Sequence, residues 1–246
     1  MNRRKFLSTL TGVASLIGAG SLPVISGCQE SVVSNSKPLS PINVKASGRL
    51  DSVLLTWGIS ETAFPNRDAE GKGKFRIYRT AIPSSPYVFL AEVDFSQRSY
   101  TDANLKKGEP AFYKVSVIDE NGNESDLSRE SNEARLSIQV EPNELPTLSM
   151  AIYFNYDGIR VNGELERSDV TLSRTALGFI AMSRFCTHAG CSNMVFQNQE
   201  WTCRCHGSKF SATGEVLASP AQTKLTRFKT ELLANGSLVV NFTDAM

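Results

Sequence analysis

CTHAGCSNMVFQNQEWTCRCHGSKF runs from Cys186 to Phe210. Four of the chain's five cysteines and both of its histidines lie in this stretch. Cys186 and His188 are two residues apart, and Cys203 and His206 are three apart. Each pair fits on one tight loop and can face a common centre. Two thiolates and two imidazoles suit either of two metals. Tetrahedral zinc takes two cysteines and two histidines. A [2Fe–2S] centre takes two cysteines on one iron and two histidines on the other.

The residues around the ligands separate these alternatives. CTHAGC (186–191) and CRCHGS (203–208) resemble the two boxes of the Rieske iron–sulfur family, in its respiratory, disulfide-containing type. The resemblance implies that Cys186 and Cys203 hold the inner iron of a [2Fe–2S] cluster and that His188 and His206 hold the outer one. It also implies a disulfide between Cys191 and Cys205, which an exported location permits. Ser208 matches a serine that donates a hydrogen bond to a cluster sulfur, and such bonds raise the potential. The matching tyrosine donor is Phe210 here, so a potential below the highest of the family is expected, within roughly −150 to +300 mV. Ser219-Pro220-Ala221 resembles the loop that covers the cluster. Ala189 stands where quinol-oxidising relatives often carry leucine, which weakens docking of this tip in a quinol pocket.

The neighbouring segments read as a small β domain over 147–246. Candidate strands are LGFIAMSRF (177–185), EWTCRC (200–205), Glu215 to Leu217, LTRFKTELL (225–233) and SLVVNF (237–242).

The preceding segment, 41–140, shows short strands separated by turn residues. They are INVKA (42–46), SVLLTW (52–57), KFRIYR (74–79), VFLAEV (88–93), AFYKVSVID (111–119) and EARLSI (133–138). The turn clusters FPNRDAEGKG, PSSP, LKKGEP and ENGNESD lie between them. This punctuation predicts an all-β sandwich. Pro41 with Val44, Trp57, FRIYR, SYTD (99–102) and YKVSVIDENGNES (113–125) resemble a fibronectin type III domain. Trp57 is then a core ring, and Tyr100 and Tyr113 are structural. EPNELP (141–146) reads as a linker. The fold class expected is all-β, a fibronectin type III sandwich followed by a Rieske-type domain.

The first 28 residues, MNRRKFLSTLTGVASLIGAGSLPVISGC, order a basic cluster, an apolar run and small residues, as an export signal does. Arg3 and Arg4 before Lys5-Phe6-Leu7 resemble a twin-arginine signal. Ile25-Ser26-Gly27-Cys28 resembles a lipobox, which implies lipidation of Cys28. The alternative is an uncleaved signal that serves as the anchor. Residues 29–40 read as a flexible tether. The expected location is the bacterial cell envelope, membrane-anchored, with both domains on the extracytoplasmic side.

The net charge of +1 comes from the N-terminal basic cluster, and no basic stripe with interleaved aromatics marks a nucleic-acid partner. An oxygenase also needs a mononuclear iron site with further histidines, and this chain has only two histidines. The function expected is one-electron transfer, as a subunit beside a cytochrome b or c or a periplasmic oxidoreductase, with quinol as a further candidate. The other reading is a surface lipoprotein in which the sandwich binds a partner.

Overall fold

The computed structural model describes residues 37–60, 73–161 and 168–245. The export signal, Cys28, most of the expected tether and the turn cluster before Gly73 lie outside them. Among the described residues there is no α-helix, so none is long and apolar enough to cross a membrane.

The first domain is a two-sheet sandwich. One sheet has the order β1 (Ile42–Gly48), β2 (Val53–Gly58), β5 (Ser99–Asp102), and all its pairings are antiparallel. The other has the order β4 (Val88–Asp94), β3 (Lys74–Thr80), β6 (Phe112–Ile118). Side chains alternate across a pleated strand. Hence Val53, Leu55 and Trp57 of β2 face Phe75 and Ile77 of β3 and Tyr113, Val115 and Val117 of β6 in one core. Trp57 meets Phe75 edge-on at 5.3 Å, and Phe75 stacks on Phe95 at 5.2 Å. Arg79, on the apolar side of β3, reaches the buried carboxylate of Asp102 at 2.7 Å. The Tyr113 hydroxyl donates to the same oxygen at 2.9 Å. Both tyrosines of the sequence reading are therefore structural: Tyr113 in this bond, Tyr100 packed against the core.

The outer edge of β6 is completed by a segment that does not read as a strand. Ser125, Ser128 and Ser131 recur every third residue beside Val117, Val115 and Tyr113. Each serine N–H donates to the β6 carbonyl opposite, at 2.9 Å. Each serine Oγ accepts from that same residue's N–H, at 2.9–3.0 Å. A period of three on one side is matched to the period of two on the other, and the serine hydroxyl supplies the missing acceptor.

The second domain contains a seven-stranded sheet and a four-stranded one. The larger has the order β7 (Ile138–Val140), β17 (Leu238–Ala245), β16 (Arg227–Leu232), β11 (Gly178–Ser183), β10 (Val170–Thr175), β8 (Ala151–Phe154), β9 (Arg160–Val161). The smaller has the order β12 (Met194–Gln197), β13 (Glu200–Cys203), β14 (Lys209–Ser211), β15 (Val216–Ala218). Two cores use opposite alternations of the larger sheet. Ile152, Phe154, Leu172 and Ala181 belong to one, and Tyr153, Ile180 and Met182 to the other, which also takes Trp201 and Phe210 from the smaller sheet.

Two expectations are corrected. The strand EARLSI (133–138) is not formed; only Ala134 bridges, to Ala111. Instead Ile138–Val140 pairs with β17 of the second domain. Ile138 and Val140 are both buried in the second domain's core, and their apolar side chains find that core sooner than the sandwich. The expected linker 141–146 likewise packs onto the second domain. Glu141 accepts from Ser237 Oγ at 3.0 Å, residues Pro142–Glu144 form a 3-10 turn, and Leu145 packs on the core. Strands β8, β9, β10, β12 and β14 lie outside the strands expected from the sequence.

Candidate metal centre

Two loops at one end of the second domain carry the cysteines and histidines. The first leaves β11 and runs into β12; the second leaves β13 and runs into β14. The β12–β13 hairpin turns at Asn198 and Gln199, which both take positive φ, 55° and 64°. Two such residues form the hairpin turn that matches strand twist. Its register places Met194 opposite Cys203. The exit of the first loop is thereby fixed beside the start of the second, and Arg204 N–H donates to the Asn193 carbonyl at 2.9 Å.

The loops are near copies of one another. Gly190 N–H donates to the Cys186 carbonyl at 2.8 Å, and Gly207 N–H to the Cys203 carbonyl at 2.9 Å. Cys186 N–H donates to the Cys191 carbonyl at 2.9 Å, and Cys203 N–H to the Ser208 carbonyl at 2.8 Å. The glycine four residues after each cysteine has positive φ, 69° and 81°. A Cβ at either would meet open space, so the backbone angle is what calls for glycine there. These glycines are the positioning residues that a search for ligands passes over. Their signal was present: one glycine at the same offset in each box.

The turn geometry sorts the side chains by depth. Cys186 and Cys203 are free thiols, 2% and 1% exposed. They adjoin each other, and burial raises the Cys203 thiol above its ordinary range, opposed by the Cys205 backbone N–H. His188 and His206 are exposed, with their rings 4.9 Å apart and perpendicular. Cys191 and Cys205 are joined as a disulfide across the loops, with Cα atoms 6.6 Å apart. The Cys191, Cys203 and Cys205 sulfurs lie within 4.8 Å of one another. Two of those three are bonded to each other, so they are not a ligand trio.

Ser208 is fully buried, and its Oγ accepts from Ala221 N–H at 3.0 Å. The hydroxyl proton remains available for a second partner. Thr187 Oγ1, in the first loop, donates to the Thr223 carbonyl at 2.5 Å. The segment carrying Ser219-Pro220-Ala221, whose Ser219–Pro220 bond is cis, is thus bonded to both loops. Phe210 is fully buried opposite Trp201, whose ring lies tilted against Phe196 with centroids 4.7 Å apart. Ala189 is exposed at the tip of the first loop.

The donor set fits an asymmetric two-iron centre. Two adjoining buried thiols would hold the inner iron, and a cation there would offset the cost of burying thiolates. Two exposed imidazoles at neighbouring positions would hold the outer iron.

The Rieske [2Fe-2S] domain family matches residues 155–229. The cytochrome b6-f complex iron-sulfur subunit of Chlorobaculum thiosulfatiphilum is 33% identical over 60 residues, covering 24% of this chain and 33% of that subunit. The match therefore spans about a third of the length of that relative. A cyanobacterial plasma membrane Rieske protein from Synechocystis is 35% identical, over 28% of this chain and 74% of that one, with a TM-score of 0.26. For the sandwich, an Fn3-like protein from Clostridium thermocellum is 24% identical, over 39% of this chain and 91% of that one, with a TM-score of 0.31. Residues 155–229 belong to the Rieske family, whose cofactor is a [2Fe–2S] cluster, and they follow a β-sandwich that resembles fibronectin type III-like folds.

Proposed function

We propose that the protein is a one-electron carrier, tethered to the extracytoplasmic side of a bacterial membrane and working as a subunit of an electron-transfer chain. One observation carries this reading: paired loops bring together two adjoining buried thiols and two exposed imidazoles whose rings are 4.9 Å apart. Cys186 and Cys203 would hold the inner iron, and His188 and His206 the outer one. When bound, the cluster supplies a centre that accepts and returns a single electron.

Each residue of the site has a part. The exposed imidazoles carry the path to the surface, so a partner need only touch the tip. The disulfide and the Arg204-to-Asn193 hydrogen bond keep the two loops from separating. Ser208 holds the covering segment down through Ala221 and has a proton left to donate inward. The small tip residue Ala189 weakens docking of this tip in a quinol pocket. The partners proposed are a cytochrome b or c or a periplasmic oxidoreductase subunit, with quinol as a further candidate. Lipid on Cys28, or a retained signal, makes the attachment.

Iron and sulfide content with low-temperature EPR of the reduced protein tests the centre. A colourless product holding a single divalent ion would overturn it. Detergent extraction followed by capture tests the role. Co-purification with b- or c-type cytochromes is expected; a glycan or adhesin partner indifferent to redox state would favour a surface-binding lipoprotein.

A further inference from the structure

The two domains meet at more than their covalent connection. On one side, Gly48 at the end of β1 lies against β17. Gly48 N–H donates to Thr243 Oγ1 at 3.0 Å, and Asn241 Nδ2 donates to the Gly48 carbonyl at 3.0 Å. Arg135 N–H donates to the same Thr243 Oγ1 at 3.3 Å, and Ser137 Oγ to the Gly48 carbonyl at 3.0 Å. The approach is so close that a Cβ on Gly48 would lie 1.8 Å from the Arg135 carbonyl and 2.8 Å from Thr243 Oγ1. Gly48 is therefore needed for proximity.

On the other side, the Arg135 side chain spans the junction. Its guanidinium donates to the Gly108 carbonyl of the sandwich and lies 4.2 Å over the ring of Tyr156 in the second domain. Tyr156 is itself wedged edge-on against Phe242 at 5.1 Å and Phe228 at 6.3 Å. Gly108 approaches Asp157 so closely that a Cβ would stand 3.2 Å from it. The chain crosses between these two contacts at Leu136–Ile138, and β7 enters the larger sheet at once.

We infer that this junction is a two-point clamp that makes sandwich and cluster domain one rigid arm, so that the two move as a single body. A hinge needs exposed backbone free to rotate. Here the crossing residues are held by hydrogen bonds on one face and by the Arg135–Tyr156 stack on the other. Arg135 serves both contacts, its backbone the first and its guanidinium the second. The inference does not rest on the cluster being bound, so it stands or falls separately from the electron-transfer reading.

Hydrogen–deuterium exchange on the intact chain, with small-angle X-ray scattering of the same sample, tests it. In the wild type the amides of Gly48 and Arg135 are expected to exchange as slowly as neighbouring sheet amides, and one rigid two-domain shape fits the scattering. Arg135→Ala is expected to speed exchange at Gly48 about tenfold or more, as loss of a stacked cation and its hydrogen bond implies, while Val115 and Leu172 stay protected. Thr243→Val, which removes the acceptor for both amides, should act alike and covers the case in which Arg135→Ala fails to fold. Loop-like exchange at Gly48 and Arg135 in the wild type, or scattering that requires a spread of interdomain angles, would overturn the clamp.

Discussion

Replacing Cys191 and Cys205 together by serine removes the bridge between the two loops. The bond spans a sequence separation of 14. Loop-closure entropy for that length is about 10 cal/mol/K, or ~3 kcal/mol at room temperature. The native loops have other ties: the Arg204-to-Asn193 hydrogen bond, the β12–β13 register and the link from Thr187 to Thr223. The folded geometry should therefore persist, and the loss should come from the freer unfolded chain. For a domain of this size, ~3 kcal/mol corresponds to a fall in Tm of roughly 12–24 °C. The chain's two tryptophans report separately, since Trp57 lies in the sandwich core and Trp201 in the cluster-domain core. Guanidinium unfolding followed by fluorescence isolates the second domain in a Trp57→Phe background and the sandwich in a Trp201→Phe background. The expected outcome is a lower midpoint at unchanged slope, with cluster absorbance lost in the same step. A change below about 1 kcal/mol, against the ~3 expected, or equal destabilisation of the sandwich, would refute the reasoning.

Other perturbations have equally specific outcomes. Ser128→Ala strips the buried Val115 N–H of its acceptor and should cost the sandwich ~1–3 kcal/mol, read from the Trp57 unfolding transition; Leu127→Ala beside it, exposed at 41%, should stay within about 0.5 kcal/mol. Gly207→Ala should cost ~1–2 kcal/mol because its φ is +81°, measured by denaturation; an unchanged midpoint would mean that the loop relaxes. Ser208→Ala leaves Ala221 N–H buried and unpaired, so ~1–3 kcal/mol is lost, and a redox titration should show a lower potential. Phe210→Tyr should move the potential upward in the same titration, and no shift would refute tuning by a donor at this position.

How much was legible depended on where each signal was stored. The ligand boxes read plainly because a metal site needs particular atoms at fixed spacing, and nothing else in this chain supplies them. β2 and β3 are equally open, since Val53, Leu55 and Trp57, or Phe75 and Ile77, alternate with residues facing out. Of the serine edge, only Ser125 falls in the turn cluster ENGNESD, and Ser128 and Ser131 carry no signal of their own. The edge's period of three matches no strand template, and only the facing N–H groups of β6 give the hydroxyls a use. β10 does not read as a strand because VTLSRT is buried at five of its six positions and does not alternate.

The sequence by itself determined what is local: the residue types at the centre, the glycine turns that aim them and the alternating faces of single strands. The tertiary structure decided what depends on partners distant in the chain. It assigned Ile138–Val140 to the second sheet, placed the thiols deep and the imidazoles outside, and closed the junction through Gly48, Arg135 and Thr243. The physical reason is that a ligand or a turn is specified by chemistry a few residues wide. Burial and strand pairing are specified by what packs opposite, and for Gly48 and Thr243 that partner is 195 residues away.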